Sequence, residues 1–253
     1  SAYPDCAGSY CFDSSLHGCL MPPALSIHGG RIHGGRIHGG PDAQGVPLYD
    51  FSTNANACGP CPEALAAVQQ ADATRYPDPA YTRLREALGA FHAVAPDCIV
   101  LAASASECIH RFTALAAWQG ARLVSVPRHG YGDYAQAAQA RGLAVVHDAA
   151  APAGLQWACE PASPLGGVDL QRARWALKSE APGTPGAASA HPLRVLDCAY
   201  APLRLDATLW PERVPGVWQI WTPNKALGLT GVRAAYAIAP HAEAAHHLAA
   251  LAP

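Results

Sequence analysis

Lysine is almost missing from this chain of 253 residues: Lys178 and Lys225 are the only two, against 15 arginines. Chemistry that needs an amine nucleophile therefore has two candidates. Charge of one sign is missing too. Lys and Arg number 17 against 19 Asp and Glu, a formal net charge of −2 without any basic run. The electrostatic footprint that binding a phosphate backbone requires is absent, which argues against nucleic acid as a partner. Pro, Gly or Arg interrupts every apolar stretch well before the roughly 18 residues a membrane-spanning helix needs. Nor does an apolar h-region with a cleavage site follow Ser1. The expectation is a protein that works in water, without a membrane.

What is present is enough for one large core. Half of the residues are hydrophobic, which excludes disorder as the global state and leaves room for a small appendage. Nine cysteines, an odd number, do not suit the disulfide frameworks of short secreted chains. Cys98, Cys108, Cys159 and Cys198 sit inside apolar runs, where free cysteine behaves as a small hydrophobe. Reduced thiols in a cytoplasmic setting are expected.

Residues 1–45 differ from the rest, with IHGG recurring at 27, 32 and 37. So Gly-rich a stretch buries too little surface to offset its ordering entropy and is read as a flexible leader. His28, His33 and His38 recur at period five, but no acid or cysteine stands at ligand spacing, so no metal is expected.

From Val46 short apolar runs alternate with amphipathic segments, the pattern of an α/β fold: a three-layer sandwich around a mostly parallel, seven-stranded sheet. Strands are predicted at 98–103, 121–126, 143–148, 155–160, 193–199, 217–222 and 233–239. Helices are predicted at 62–71, with Pro62 in the first turn, and at 80–92, 105–118, 133–141 and 169–178. Residues 179–192 read as a loop.

Ligands of such sheets bind beyond the carboxyl ends of the strands, and polar residues collect there. Ser104-Ala105-Ser106-Glu107 follows the first strand, either as an ordinary N-cap or as an anion cradle at a helix N-terminus. Asp197-Cys198-Ala199-Tyr200 ends the fifth, putting a carboxylate where desolvation is severe unless a cation stands beside it. The sixth runs into a Gly-rich turn holding Lys225, with Arg233 eight residues later. That suits an imine-forming amine beside a phosphate clamp.

With these residues in view, the chain resembles the fold-type I pyridoxal-phosphate enzymes, the class I/II aminotransferases. Within that family it looks like the histidinol-phosphate aminotransferase and threonine-phosphate decarboxylase groups. The resemblance runs from residue 38 to about 245, through HGG (38–40), DFSTNAN (50–56), GPCPEAL (59–65), RYPDPAYTRLREAL (75–88), DCAY (197–200) and TPNKALGLTGVRAAY (222–236). It implies a transaminase with pyridoxal 5'-phosphate as cofactor, an amino donor and a 2-oxo acid acceptor. It also implies that residues 46–245 form the cofactor-binding large domain.

The resemblance also distributes roles. Lys225 would hold the cofactor as a Schiff base and move the proton at the substrate Cα. Asp197 would pair with the pyridinium nitrogen, and Tyr200 would bond the ring's phenolate oxygen. Arg233 and Thr222, with the backbone of Ala105 and Ser106, would grip the phosphate. Tyr131 would stack on the ring, and Tyr76 would reach the phosphate of a partner subunit, which makes the protein a homodimer. Asn54 and Asn56 would line the substrate side. Blander readings stand beside these: Tyr131 and Tyr134 as packing at a helix start, the asparagines as turn residues, Lys178 as a solvated helix end.

Three departures stand out. Ser163, in Ser163-Pro164-Leu165-Gly166, replaces the asparagine of the family's Asn-Pro-Thr-Gly turn, and its shorter hydroxyl is expected to reach the cofactor only through water. Ala102-Ala103-Ser104 replaces a Gly-rich phosphate segment. Residues 246–253 are expected to begin a small domain, of which the sequence stops short at Pro253; the family's carboxylate-binding arginine lies there. Three alternatives remain at this level: decarboxylation, cofactor binding without turnover, and dithiol redox chemistry at Cys58-Gly59-Pro60-Cys61, which opens a helix.

Overall fold

The computed structural model describes residues 30–33, 36–40, 45, 53–54, 56–148, 150–178, 192–205 and 213–252. Inside the stretch expected to be an unstructured leader, β1 (Gly30–His33) and β2 (Arg36–Gly39) form an antiparallel ribbon with Ile32 paired to Ile37. Successive copies of the repeat pair with each other, which satisfies backbone groups that a solvated leader would leave to water. His28 and most of the leader lie outside the described residues, as do 179–191 of the expected loop.

The seven expected strands form one sheet, each shorter than its apolar run by one to three residues. They are β3 (Ile99–Ala102), β4 (Leu123–Ser125), β5 (Ala144–Val146), β6 (Leu155–Cys159), β7 (Leu193–Asp197), β8 (Val217–Trp221) and β9 (Ala235–Ile238). Their order is β3-β9-β8-β7-β6-β4-β5. The pairs from β8 through β5 are parallel, while β9 runs antiparallel between β3 and β8.

Alternation along the strands makes the two faces. Val195, Trp218 and Ile220 face one core with Phe112 and Leu115 of α3 (Ala105–Trp118), Tyr134 and Ala137 of α4 (Gly132–Ala140) and Leu248 of α6 (Ala242–Ala249). Leu196, Val217 and Trp221 face the other, with Trp175 of α5 (Leu170–Lys178) and Leu88 of α2 (Thr82–His92). Helices thus cover both faces, completing the three layers, and every residue of β6 and β8 is buried, as strands covered on both sides must be. Deleting one such side chain, Trp157 to alanine for instance, leaves a cavity that costs about 3–5 kcal/mol.

Local chemistry sets the helix starts. Pro62 opens α1 (Pro62–Gln69), where its missing N–H costs nothing. Ser104 caps α3 by accepting from the Glu107 N–H at 3.0 Å. Helix α2 starts two residues later than the sequence pattern suggests, because Asp78 captures the Ala80 and Thr82 amides at 3.0 and 2.8 Å.

Candidate active site

One rim of the sheet gathers the candidate residues. Ala105 and Ser106 follow the end of β3, Tyr131 follows β4, Ser163 follows β6, Asp197 ends β7 with Tyr200 just beyond it, and Thr222 and Lys225 follow β8. Because β9 is antiparallel its first residues lie at this same rim. Ala235 pairs with Ala102, so Arg233 stands next to the start of α3.

Asp197 is 4% exposed. One carboxylate oxygen accepts from the Tyr134 hydroxyl at 2.6 Å and the other from the Ala199 N–H at 2.9 Å. Burial pushes its pKa up, and these two bonds only partly oppose the rise. Among the described residues no Lys, Arg or His forms an ion pair with it.

Lys225 is half-buried, and desolvation holds its ammonium below the usual lysine range, favouring the free amine. No carboxylate pairs with it among the described residues. Its Nζ lies over the Tyr200 ring, 5.9 Å from the ring centre. The Tyr200 hydroxyl accepts from Asn54 Nδ2 at 3.4 Å.

The lysine loop is held by its neighbours rather than by secondary structure. Thr222 Oγ1 bonds the Asn224 side chain and the Ala234 carbonyl, the latter at 3.0 Å, and Asn224 Nδ2 donates to the Leu229 and Val232 carbonyls. Thr222 is therefore engaged in shaping the loop. Asn56 is likewise engaged: its Nδ2 donates to the Ala226 carbonyl at 3.0 Å and its Oδ1 accepts from the Cys58 N–H. The Cys61 N–H donates to the Leu227 carbonyl at 2.9 Å. Gly228 adopts φ +62°, and a Cβ there would collide with the Gly59 carbonyl, so only glycine fits.

At the start of α3 the Ala105 and Ser106 amides are ones that helix geometry leaves without an intrahelical acceptor. The Ser106 hydroxyl is 3.2 Å from that of Tyr131, and Arg233 is exposed without an ion pair among the described residues. Two amides, a hydroxyl and a guanidinium at one rim suit an anion. Tyr76 is fully exposed on the loop after α1, apart from the cluster.

Sequence reading undervalued Tyr134. Its ring is buried, stacked 4.7 Å from Trp157, and its hydroxyl contacts the key carboxylate. The two residues are 63 apart in sequence, and only the packing of α4 on β7 joins them. Glu160 was no candidate either, though it is 3% exposed and one residue past β6. It pairs with Arg204 at 3.3 Å and Arg172 at 3.5 Å.

Residues 46–185 match the family described as aminotransferase class I and II. Over 217 residues the chain is 31% identical to the histidinol-phosphate aminotransferase of Ruegeria pomeroyi, an alignment covering 76% of this chain and 57% of that one. Among solved structures, the histidinol-phosphate aminotransferase of Clostridium acetobutylicum superposes with a TM-score of 0.64 at 21% identity, covering 80% of this chain and 64% of the other. That of Sinorhizobium meliloti, in complex with pyridoxal-5'-phosphate, gives 0.59 at 22% identity, covering 79% and 63%. At these identities the structural likeness establishes the fold. The chain spans under two thirds of the length of these relatives. From the family match over more than half of its residues, the chain belongs to the class I and II aminotransferases.

Proposed function

We propose that this chain carries the cofactor-binding part, residues 46–245, of a pyridoxal 5'-phosphate-dependent aminotransferase. An amino acid or amino-phosphate is the donor, as in the histidinol-phosphate enzymes, and a 2-oxo acid the acceptor. One observation carries the reading: the half-buried amine of Lys225, over the Tyr200 ring, and the buried carboxylate of Asp197 share a single rim, neither with an ion pair among the described residues. When bound, the cofactor supplies an electron sink for charge developing at the substrate Cα.

Asp197 accepts the hydrogen bond of the ring N–H and keeps the proton on that nitrogen. The cation relieves the desolvation that raises this carboxyl. Tyr200 and Ser163 bond the ring oxygen. The Ala105 and Ser106 amides, the Ser106 hydroxyl and Arg233 bind the phosphate, with Thr222 holding the loop between Lys225 and Arg233. Lys225 would hold the aldehyde carbon of the cofactor through its amine, with loss of water, a role its lowered pKa favours, and would carry the proton at the substrate Cα. Tyr131 covers the ring face, and Asn54 orients Tyr200 from the substrate side, with Asn56 steadying the turn beneath it. Tyr76, exposed and apart, reaches the phosphate site of a second copy in a homodimer. A cytoplasmic location suits the free thiols.

Titrating the protein with pyridoxal 5'-phosphate tests the assignment. A visible absorption band that borohydride fixes covalently at Lys225, and that Lys225→Ala lacks, is the expected result. A wild-type protein without the band overturns it. With donor added, conversion of the amine to its oxo product supports transamination, whereas carbon dioxide release would transfer the chain to the decarboxylase reading.

A further inference from the structure

The Cys58-Gly59-Pro60-Cys61 turn takes no part in the chemistry above, yet it is bonded to the loop that carries Lys225. Asn56 ties the turn to the Ala226 carbonyl, the Cys61 N–H ties it to the Leu227 carbonyl, and the Gly59 carbonyl rests where a Cβ on Gly228 would fall. Cys58 is exposed and Cys61 half-exposed at the start of α1, whereas Cys98, Cys108, Cys159 and Cys198 are buried. Burial also holds the thiols of Cys108, Cys159 and Cys198 in their protonated, unreactive form. Among the described cysteines only the pair in the turn is open to reagents, and a two-residue spacing is the one at which disulfides close most locally.

We propose that Cys58 and Cys61 are a reversible disulfide site whose oxidation acts on the Lys225 loop. The co-reactant is a low-molecular-weight disulfide such as glutathione disulfide. The Cys58 thiolate, the more exposed, attacks one of its sulfurs; a Cys58–glutathione bond forms, the S–S bond breaks, and one thiol leaves with a proton. The Cys61 thiolate then attacks Cys58 Sγ and expels the second thiol. Two cysteines lose two electrons and two protons, and one disulfide becomes two thiols.

A disulfide admits only a narrow range of Cα separations and dihedrals, so forming the ring constrains the backbone between the two cysteines. Pro60 has φ fixed by its ring, so Gly59, at φ +83°, takes up much of the change. Gly59 is also the residue pressed on Gly228, which transmits the adjustment to the lysine loop. The effect on the cofactor amine rests on the function proposed above; the disulfide and the loop response do not.

The test equilibrates the full chain, with and without pyridoxal 5'-phosphate, against graded ratios of reduced to oxidised glutathione. Alkylation and peptide mass mapping read the thiols, and amide hydrogen exchange reads residues 224–229. The expected result is a Cys58–Cys61 linked peptide, reversed by dithiothreitol, with exchange at 226–228 faster by several-fold in the oxidised form. Cys58→Ser and Cys61→Ser keep the reduced-state exchange at every ratio. Peptides holding Cys6, Cys11 and Cys19 separate their chemistry from that of this pair. Full alkylation of Cys58 and Cys61 at all ratios overturns the site, and a linked peptide with unchanged exchange overturns its action on the loop. Both readouts are taken without cofactor as well, so a missing visible band would remove the proposed function while leaving this result standing.

Discussion

Glu160 and Asp197 are buried side by side at the same rim: the Glu160 N–H donates to the Asp197 carbonyl at 3.0 Å, and their side chains are 3% and 4% exposed. Glu160 is neutralised within the chain, by Arg172 and Arg204. Among the described residues Asp197 has a phenol and an amide, both uncharged, and no cation. Glu160 is thus paired within the chain, while Asp197 is the carboxylate that the proposed function assigns to the ring nitrogen. Exposure and strand position do not distinguish the two; the partners do.

Substitutions can break that contrast, the largest effect first. Asp197→Asn keeps the shape and removes the charge, so cofactor-dependent turnover falls by about 10²- to 10³-fold, roughly 3–4 kcal/mol of transition-state stabilisation. Urea unfolding of the cofactor-free protein shows no loss, because an uncompensated buried charge has gone. Single-turnover absorbance and urea melts check the two halves. Glu160→Gln does the reverse. It removes the charge that Arg172 and Arg204 share, costing about 3 kcal/mol in urea unfolding, while the visible band on adding pyridoxal 5'-phosphate persists.

Tyr134→Phe lies between the two, removing the hydroxyl that donates to Asp197. A hydrogen bond to a charged group of this kind contributes about 2 kcal/mol, read as a lower urea midpoint. The subtlest expectation is a slope. Burial raises the pKa of Asp197 above its ordinary 3.8, so the folded state keeps a proton that the unfolded state has released. That contribution is full below pH 3.8 and is lost as pH rises through the folded value. Wild type therefore loses stability relative to Asp197→Asn with rising pH over that window, by at most about 1.4 kcal/mol per pH unit. Tyr134→Phe extends the window upward, since its hydroxyl does more than the Ala199 amide to hold that pKa down.

The sheet was legible because its strands are short apolar runs bounded by turn residues, and Asp197 and Lys225 were legible because each ends or follows such a run. What the sequence hides is pairing between distant elements. Nothing local says that β9 inserts antiparallel between β3 and β8, or that Tyr134 meets Asp197. For Glu160 the signal was a charge just past an apolar run, the same as for Asp197, but its arginines lie 12 and 44 residues away. Thr222 was read as a phosphate contact and Asn56 as a substrate-side or turn residue; what the sequence did not show is that both also bond backbone carbonyls flanking or within the lysine loop, those of Ala234 and Ala226. The leader's ribbon escaped notice because Gly-rich composition masked a repeat able to pair with itself.

The antiparallel course of β9 has one further consequence. Trp221 and Tyr236 are cross-strand partners, so the segment bearing Lys225 leaves and re-enters the sheet at adjacent positions, like a handle fixed at both ends. Gripped along its arc by Asn56, Cys61 and the Gly59 carbonyl, the handle keeps the amine near one root and the guanidinium near the other.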